Sequence, residues 1–366
     1  MQVGIIGAGH WAEIAHLPSF AKCRNAKVVS ICDTNFSLAK DVAKKFEIAE
    51  VNEDYHSIVD RDDIDIIDIC SSADSHYEIA LEAIRNEKSI LCEKPLSTNY
   101  EKTRELAKLA VEKRVKTKMG FTFRYSPALR EMKQRIENGF IGQPYLFNGF
   151  EQNSQFINPV TPFRWNPQKN SNTLMRGSLE EYAPHLIDLG LWLMDDITQV
   201  IGVMKNFVPS RWIRDLKKKL PINIEDATVW LAEFANGAEA TFQSSFIAIG
   251  GYPGVEVRIF GSKGAMVARL VQESSAFETL SAATPDDPHF KPVKLSYKQR
   301  GKSEREWFQV YYSNLVRTFI EEVLNNKEPE GNFVDGSKVQ EVEDAVHLSH
   351  LKKKWIPLPL LKNRSR

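Results

Sequence analysis

The sequence predicts an α/β chain in two parts: a doubly wound parallel sheet, followed by an α+β domain with an open, mostly antiparallel sheet. Three observations predict this. Short β-branched runs alternate with helix-length segments over residues 2–120, a glycine-rich turn directly follows the first run, and consecutive strand-like runs fill the second half with no helices between them. A length of 366 residues leaves room for two cores.

In the first half, strands are expected at 3–6, 27–32, 64–70, 89–92 and 116–119, with a weaker one at 49–51. Helices are expected at 11–21, 36–46, 56–59, 75–86 and 100–113. Buried parallel strands read as continuous apolar runs, and Ile64-Asp65-Ile66-Ile67-Asp68-Ile69 departs from this with two acids. Those acids are expected to mark a strand end or a contact facing a helix.

The rhythm changes after Gly120, which places the boundary at 1–122 and 123–366. A helix is expected at 127–138, a strand at 144–152, a long polar loop at 153–176 and a helix at 179–193. Strands follow at 199–207, 227–234, 238–246, 255–260 and 265–270, and Asn236-Gly237 supplies a hairpin turn between two of them. The basic segment 209–220, with Arg211, Lys217, Lys218 and Lys219, reads as a solvated connection. Closing helices are expected at 304–324 and 339–352, able to pack back on the first domain.

Charge excludes some functions. Lys+Arg and Asp+Glu balance at 48 each, so there is no basic footprint for nucleic acid. No apolar run approaches the roughly 18 residues that cross a bilayer, and the amino terminus lacks a cationic segment with a longer apolar stretch, so no membrane and a cytoplasmic location are expected. Cys23, Cys32, Cys70 and Cys92 match no zinc or redox spacing and read as small core residues in a reducing compartment. His16 and His56 have no second ligand type at metal spacing, so they read as structural and no metal is expected.

Gly7-Ala8-Gly9-His10-Trp11-Ala12 follows the first strand and opens a helix. The first glycine permits a tight turn, the second lets a diphosphate approach the backbone, and the small sixth residue lets helix and strand pack closely. Asp33, at the end of the second strand and 26 residues after Gly7, would accept hydrogen bonds from ribose hydroxyls and repel a 2′-phosphate. NAD is therefore preferred over NADP, and Asp33 could also act as a helix cap before Asn35.

At Cys92-Glu93-Lys94-Pro95-Leu96, at the end of the fifth strand, the chain resembles the Gfo/Idh/MocA oxidoreductases. The glycine turn and residues 177–185 carry the same resemblance, which extends over nearly the whole chain. It implies a Rossmann domain, then a domain whose open sheet often forms the interface of a homodimer or homotetramer, with a carbohydrate or polyol substrate between the two. It implies hydride transfer between NAD(P) and a secondary alcohol or ketone of a sugar, inositol or sugar derivative.

By this resemblance Lys94 stands near the substrate hydroxyl and the nicotinamide, and burial beside a cation would lower its pKa toward that of a usable base. Glu181-Tyr182-Ala183-Pro184-His185 resembles the family's Asp-x-x-x-His. On one helix the two ends of that motif would share a face, with His185 exchanging a proton and Glu181 orienting it or touching a hydroxyl. Glu181 in place of Asp, and Arg176-Gly177 where consecutive glycines are common, alter the pocket's size and charge. Pro184 could break the helix.

Ser71 and His76 match a cofactor-lining turn after the fourth strand, and Glu93 joins them together with His10 and Trp11 of the glycine turn. Arg124, Trp165, Tyr182 and Asp188 are the substrate candidates: Arg124 as a rigid set of donors, Trp165 as a surface for a sugar to stack on. Two other readings stay open. One is a glycoside-cleaving or epimerising enzyme that retains its NAD, and the other is a non-catalytic NAD(H)-binding sensor, against which Lys94, Glu181 and His185 together speak.

Overall fold

The computed structural model describes residues 1–161, 177–213, 216–249, 254–271, 278–295 and 304–360. The chain gathers into two compact units: Met1–Tyr125 with Gly301–Gln340, and Ser126–Arg300 with Glu341–Arg366.

The first unit holds six parallel strands, β1 (Gln2–Ile6), β2 (Lys27–Cys32), β3 (Glu50–Asn52), β4 (Ile66–Ile69), β5 (Ser89–Cys92) and β6 (Thr117–Met119), in the order β3-β2-β1-β4-β5-β6. That is the doubly wound order of the Rossmann fold, with its switch point between β1 and β4. Ile5, Ile31, Ile66, Ile67 and Ile69 are wholly buried. Each such side chain contributes about 1.5–3 kcal/mol of transfer free energy.

Helices cover the sheet: α1 (Leu17–Ala21), α2 (Phe36–Phe46), α3 (His56–Val59), α4 (Ala73–Arg85) and α5 (Tyr100–Lys113). A π-turn over Ala12–His16 runs into α1. Asn35 and Asn99 cap α2 and α5 by accepting the amides of Leu38 and Lys102, which satisfies donors that a helix start leaves open.

The second unit begins with α6 (Pro127–Glu137) and β7 (Pro144–Gln152), then α7 (Gly177–Glu181) and α8 (Ala183–Leu193). The strands β8 (Ile197–Lys205), β9 (Ser210–Ile213), β10 (Lys218–Pro221), β11 (Ala227–Phe234), β12 (Glu239–Ser245), β13 (Gly254–Gly261), β14 (Ala265–Val271), β15 (Thr279–Thr284) and β16 (Asp287–Pro292) follow, with β17 (Ile356–Pro357) near the end. Nine of these form one sheet, β16-β15-β14-β13-β7-β12-β11-β8-β17, antiparallel except for the β7–β12 pair. Gly237, at φ 85°, turns the β11–β12 hairpin where Asn236-Gly237 predicts it.

Along β11 the even positions from Thr228 to Phe234 are buried and Val229 and Leu231 are exposed, so one face of the sheet is covered and the other is open. The covered face carries Phe147, Trp230 and Phe242, the last two stacked at 4.9 Å.

Long helices α9 (Glu304–Leu324) and α10 (Phe333–Lys352) close the chain. The helix expected at 339–352 begins two turns earlier, because Phe333 and Gly336 pack within the first unit, with Gly336 against Met119 and Leu96. In segment 209–220 Lys217, Lys218 and Lys219 are exposed, as expected of a solvated connection, but Arg211 is not. The segment forms the β9–β10 hairpin, and Arg211 is fully buried, with its guanidinium on Asp226 and the carbonyl of Phe156.

Candidate active site

The glycine turn forms where the sequence places it. Gly7 has φ 107°, and a β-carbon there would lie 2.6 Å from the backbone of Cys70 and Ser71. Only glycine tolerates both conditions. Among the described residues nothing lies within 4 Å of a β-carbon position on Gly9, so the backbone there is open to a diphosphate, and the Trp11 indole does not obstruct it. Its N–H is committed to Tyr312 Oη at 2.7 Å and Glu93 Oε1 at 3.1 Å. His10 is exposed on the same turn.

Asp33 follows β2. Its Oδ2 accepts the amide of Ala8 at 2.8 Å and its Oδ1 accepts that of Asn35 at 2.8 Å. The side chain thus ties the glycine turn to the end of β2, while Asn35 is the residue that caps α2. A carboxylate there leaves lone pairs for ribose hydroxyls and repels an added phosphate. Gly7, Gly9 and Asp33 together fit an NAD group.

Ser71 and His76 sit at the end of β4 and the start of α4. Ser71 Oγ lies 2.8 Å from Ser75 Oγ. His76 is buried, with Nδ1 2.7 Å from the carbonyl of Pro95 and Nε2 3.2 Å from that of Ser71. Burial lowers its pKa and keeps the ring neutral. His76 is thus a strap on the Lys94-Pro95 peptide, which is cis.

Glu93 is buried beneath Lys94. Its Oε2 accepts the Lys94 amide at 3.2 Å, and its Oε1 faces Trp11 Nε1 and, at 3.2 Å, His16 Nε2. His16 Nδ1 lies 2.8 and 3.0 Å from the two oxygens of Asp68, and both residues are wholly buried. Burial opposes charge on the imidazole, but the carboxylates of Asp68 and Glu93 outweigh it and raise its pKa to about 10.

His16, expected as a structural histidine, is the centre of this network. The signal was present as an acid in the middle of an apolar parallel strand, which demands a buried partner. Of the two acids in that run, Asp65 marks the strand's start by accepting the Gln2 amide, and Asp68 faces the helical segment.

His16, Asp68 and Cys70 bring three metal-type ligand atoms together. Their chemistry is hydrogen bonding instead: the Cys70 thiol donates to the Gly7 carbonyl at 3.2 Å, and burial pushes its pKa well up, away from a metal-binding thiolate.

Arg124 is buried, with Nη1 3.3 Å from Asp335 Oδ2 and its guanidinium over Phe121. Both partners belong to the first unit.

In the second unit, the helix expected at 179–193 is broken at Tyr182. α7 ends at Glu181, and α8 starts at Ala183 with Pro184 in its first turn. Proline has no amide to continue the ladder. Glu181 and His185 therefore do not share the face of one continuous helix. Glu181 is exposed, His185 is half-buried, and Asp188 is buried. Tyr182 Oη accepts from the Asn153 side chain, and its ring packs edge-on against Phe246 at 4.9 Å. Leu179 N–H donates to Glu225 Oε1 at 2.7 Å, which holds the start of α7. Trp165 lies outside the described residues.

Two family models match the chain: "Oxidoreductase family, NAD-binding Rossmann fold" over residues 1–121, and "GFO/IDH/MocA C-terminal domain" over residues 129–267. The chain is similar to levoglucosan dehydrogenase of Pseudarthrobacter phenanthrenivorans, at 25% identity over 98% of each chain. It is similar to myo-inositol 2-dehydrogenase of Thermotoga maritima at 23% identity, over 92% of each. A solved levoglucosan dehydrogenase in complex with NADH superposes with a TM-score of 0.86 at 25% identity, covering 99% of this chain and 100% of that one. Glycine turn, Glu-Lys-Pro segment and both matched regions lead to one assignment: this chain belongs to the Gfo/Idh/MocA family of NAD-binding, Rossmann-fold oxidoreductases.

Proposed function

We propose that this protein is an NAD-dependent dehydrogenase acting on a secondary alcohol of a sugar, inositol or anhydrosugar, or on the corresponding ketone in reverse. The observation that carries the reading is the joining, in one unit, of an open glycine turn to the Glu93-Lys94-Pro95 segment at the carboxyl end of β5. Ligands of doubly wound sheets bind beyond those strand ends.

Bound NAD supplies the hydride acceptor. The chain must then hold the cofactor, orient the alcohol and take the hydroxyl proton. Lys94 Nζ is our first candidate for that proton and the His185 imidazole our second. Glu181, Tyr182 and Asp188, on the second unit, are candidates for substrate contact. The relatives similar over nearly the whole chain are named as dehydrogenases, which favours net oxidation over glycoside cleavage with retained NAD or a sensor role.

A homodimer or homotetramer formed through the open face of the nine-stranded sheet completes the reading. Val203, Val229, Leu231 and Leu146 are exposed there, and such an apolar face seeks a partner. A cytoplasmic location agrees with four free cysteines.

The test is a screen of purified protein with NAD and NADP against inositols, aldoses, ketosugars and levoglucosan, followed by absorbance of the reduced nicotinamide. NAD-dependent turnover that Lys94→Ala lowers by about 10²–10⁴-fold, with NADH affinity nearly unchanged, supports the mechanism. An unaffected rate removes it.

A further inference from the structure

His16 is wholly buried, and each of its ring nitrogens faces a carboxylate: Nδ1 faces Asp68 at 2.8 Å and Nε2 faces Glu93 at 3.2 Å. Neither acid can donate while ionised, and a neutral imidazole donates from one nitrogen only. Burial raises the Asp68 pKa while His16 opposes that rise, and with both carboxylates ionised an imidazolium between them compensates the buried charge.

The consequence reaches Lys94 through Glu93. Glu93 Oε1 accepts from His16 and from the Trp11 indole, and Oε2 accepts the Lys94 amide at 3.2 Å. Tyr312, from α9, holds the indole at 2.7 Å and packs its ring 4.8 Å from His16. The glycine turn, through Trp11, and the β5 end, through Glu93, are thereby tied to one buried ring.

We propose that His16, anchored by Asp68, is a positioning residue for hydride transfer: as an imidazolium it fixes the Glu93 carboxylate, which in turn holds the backbone of Lys94. The role in turnover rests on the function proposed above, whereas the charge and its reach to Glu93 do not.

The test uses the full-length protein labelled with ¹⁵N at histidine and tryptophan, read by solid-state NMR at pH 8.5. Among the eight histidines, one is expected to show both ring nitrogens protonated, and His16→Gln should erase that signal. If the signal that His16→Gln erases is a neutral tautomer, the proposal is overturned. The Trp11 indole signal, assigned with Trp11→Phe, should shift in His16→Gln as Glu93 relaxes, and an unmoved signal overturns the link to Glu93. Neither arm needs a substrate, so both stand if wild-type protein turns over none of the carbohydrates screened.

In the kinetic arm, with NAD and whichever of levoglucosan or myo-inositol the wild type oxidises, His16→Gln is expected to lower kcat about 100-fold. KM and NADH affinity should stay within about threefold, so that the loss falls on the chemical step rather than on uniform binding. Asp68→Asn, which keeps an acceptor on Nδ1, should lose less than Asp68→Leu. Wild-type kcat in His16→Gln, or equal losses in the two Asp68 variants, overturns the positioning role. Should His16→Gln fail to fold, the wild-type signature and the Asp68 pair decide.

Discussion

Gly120 and Glu93 share one space: a β-carbon on Gly120 would lie 2.6 Å from Glu93 Oε1. The glycine amide is bonded to the Cys92 carbonyl at 2.8 Å, so the backbone there has little freedom to withdraw. The carboxylate, held by Trp11, His16 and the Lys94 amide, would have to move instead.

Gly120→Ala is therefore expected to displace Glu93 and reduce turnover by about 100-fold, as small misplacements near reacting groups do. NADH affinity should change little. Paired measurement of kcat and of the NADH dissociation constant checks both halves.

At Gly7 the obstacle is backbone rather than side chain. Gly7→Ala combines a φ of 107° with a collision against Cys70 and Ser71, and costs about 1–3 kcal/mol in strain and overpacking. Thermal unfolding with and without NADH should show a lower Tm and a smaller stabilisation by the cofactor.

Asp33→Ala leaves the amides of Ala8 and Asn35 without their acceptor. A lost partner of this kind costs about 1–3 kcal/mol, so NADH affinity should fall about 5- to 150-fold. Removing the charge should also narrow the preference for NAD over NADP. Titration calorimetry with both cofactors measures the two effects.

His16 carries a pH signature. Its folded pKa is raised to about 10 from an ordinary 6.5, so its contribution to stability is fully present below pH 6.5 and is lost as pH rises through 10. His16→Phe should flatten the fall in stability between pH 7 and 9 relative to wild type. Urea unfolding at several pH values, comparing the two proteins, reads this difference.

Arg211 and Asp226 form a fully buried pair in the second unit. Arg211→Met strands the aspartate and should cost about 3–5 kcal/mol, while NADH affinity, set in the first unit, stays unchanged. Denaturant midpoints and NADH titration separate the two.

Periodicity and turn chemistry are local, so the sequence reveals much of the fold. The strands at 27–32, 89–92 and 144–152 and the helices at 36–46 and 100–113 occupy the residues expected of them. The glycine turn and Asp33 are legible for the same reason, since each depends on neighbours within one βαβ unit. Strands β9, β10, β15 and β16 escaped because polar, short, partly exposed edges carry no strong apolar period. The break at Tyr182 was signalled by Pro184 alone, with the spacing of Glu181 and His185 arguing the other way.

What remained for the tertiary structure to decide was the pairing of buried charge. His16, Asp68 and Glu93 are separated by 52 and 25 residues in the sequence, yet they meet because adjacent parallel strands bring β4 and β5 to the same end of the sheet, beneath the first helical turns. A histidine and an acid read singly look like core filler. Only the register of the strands makes them one charged unit under Lys94, because electrostatic compensation in a dry interior depends on distance in space and not on distance along the chain.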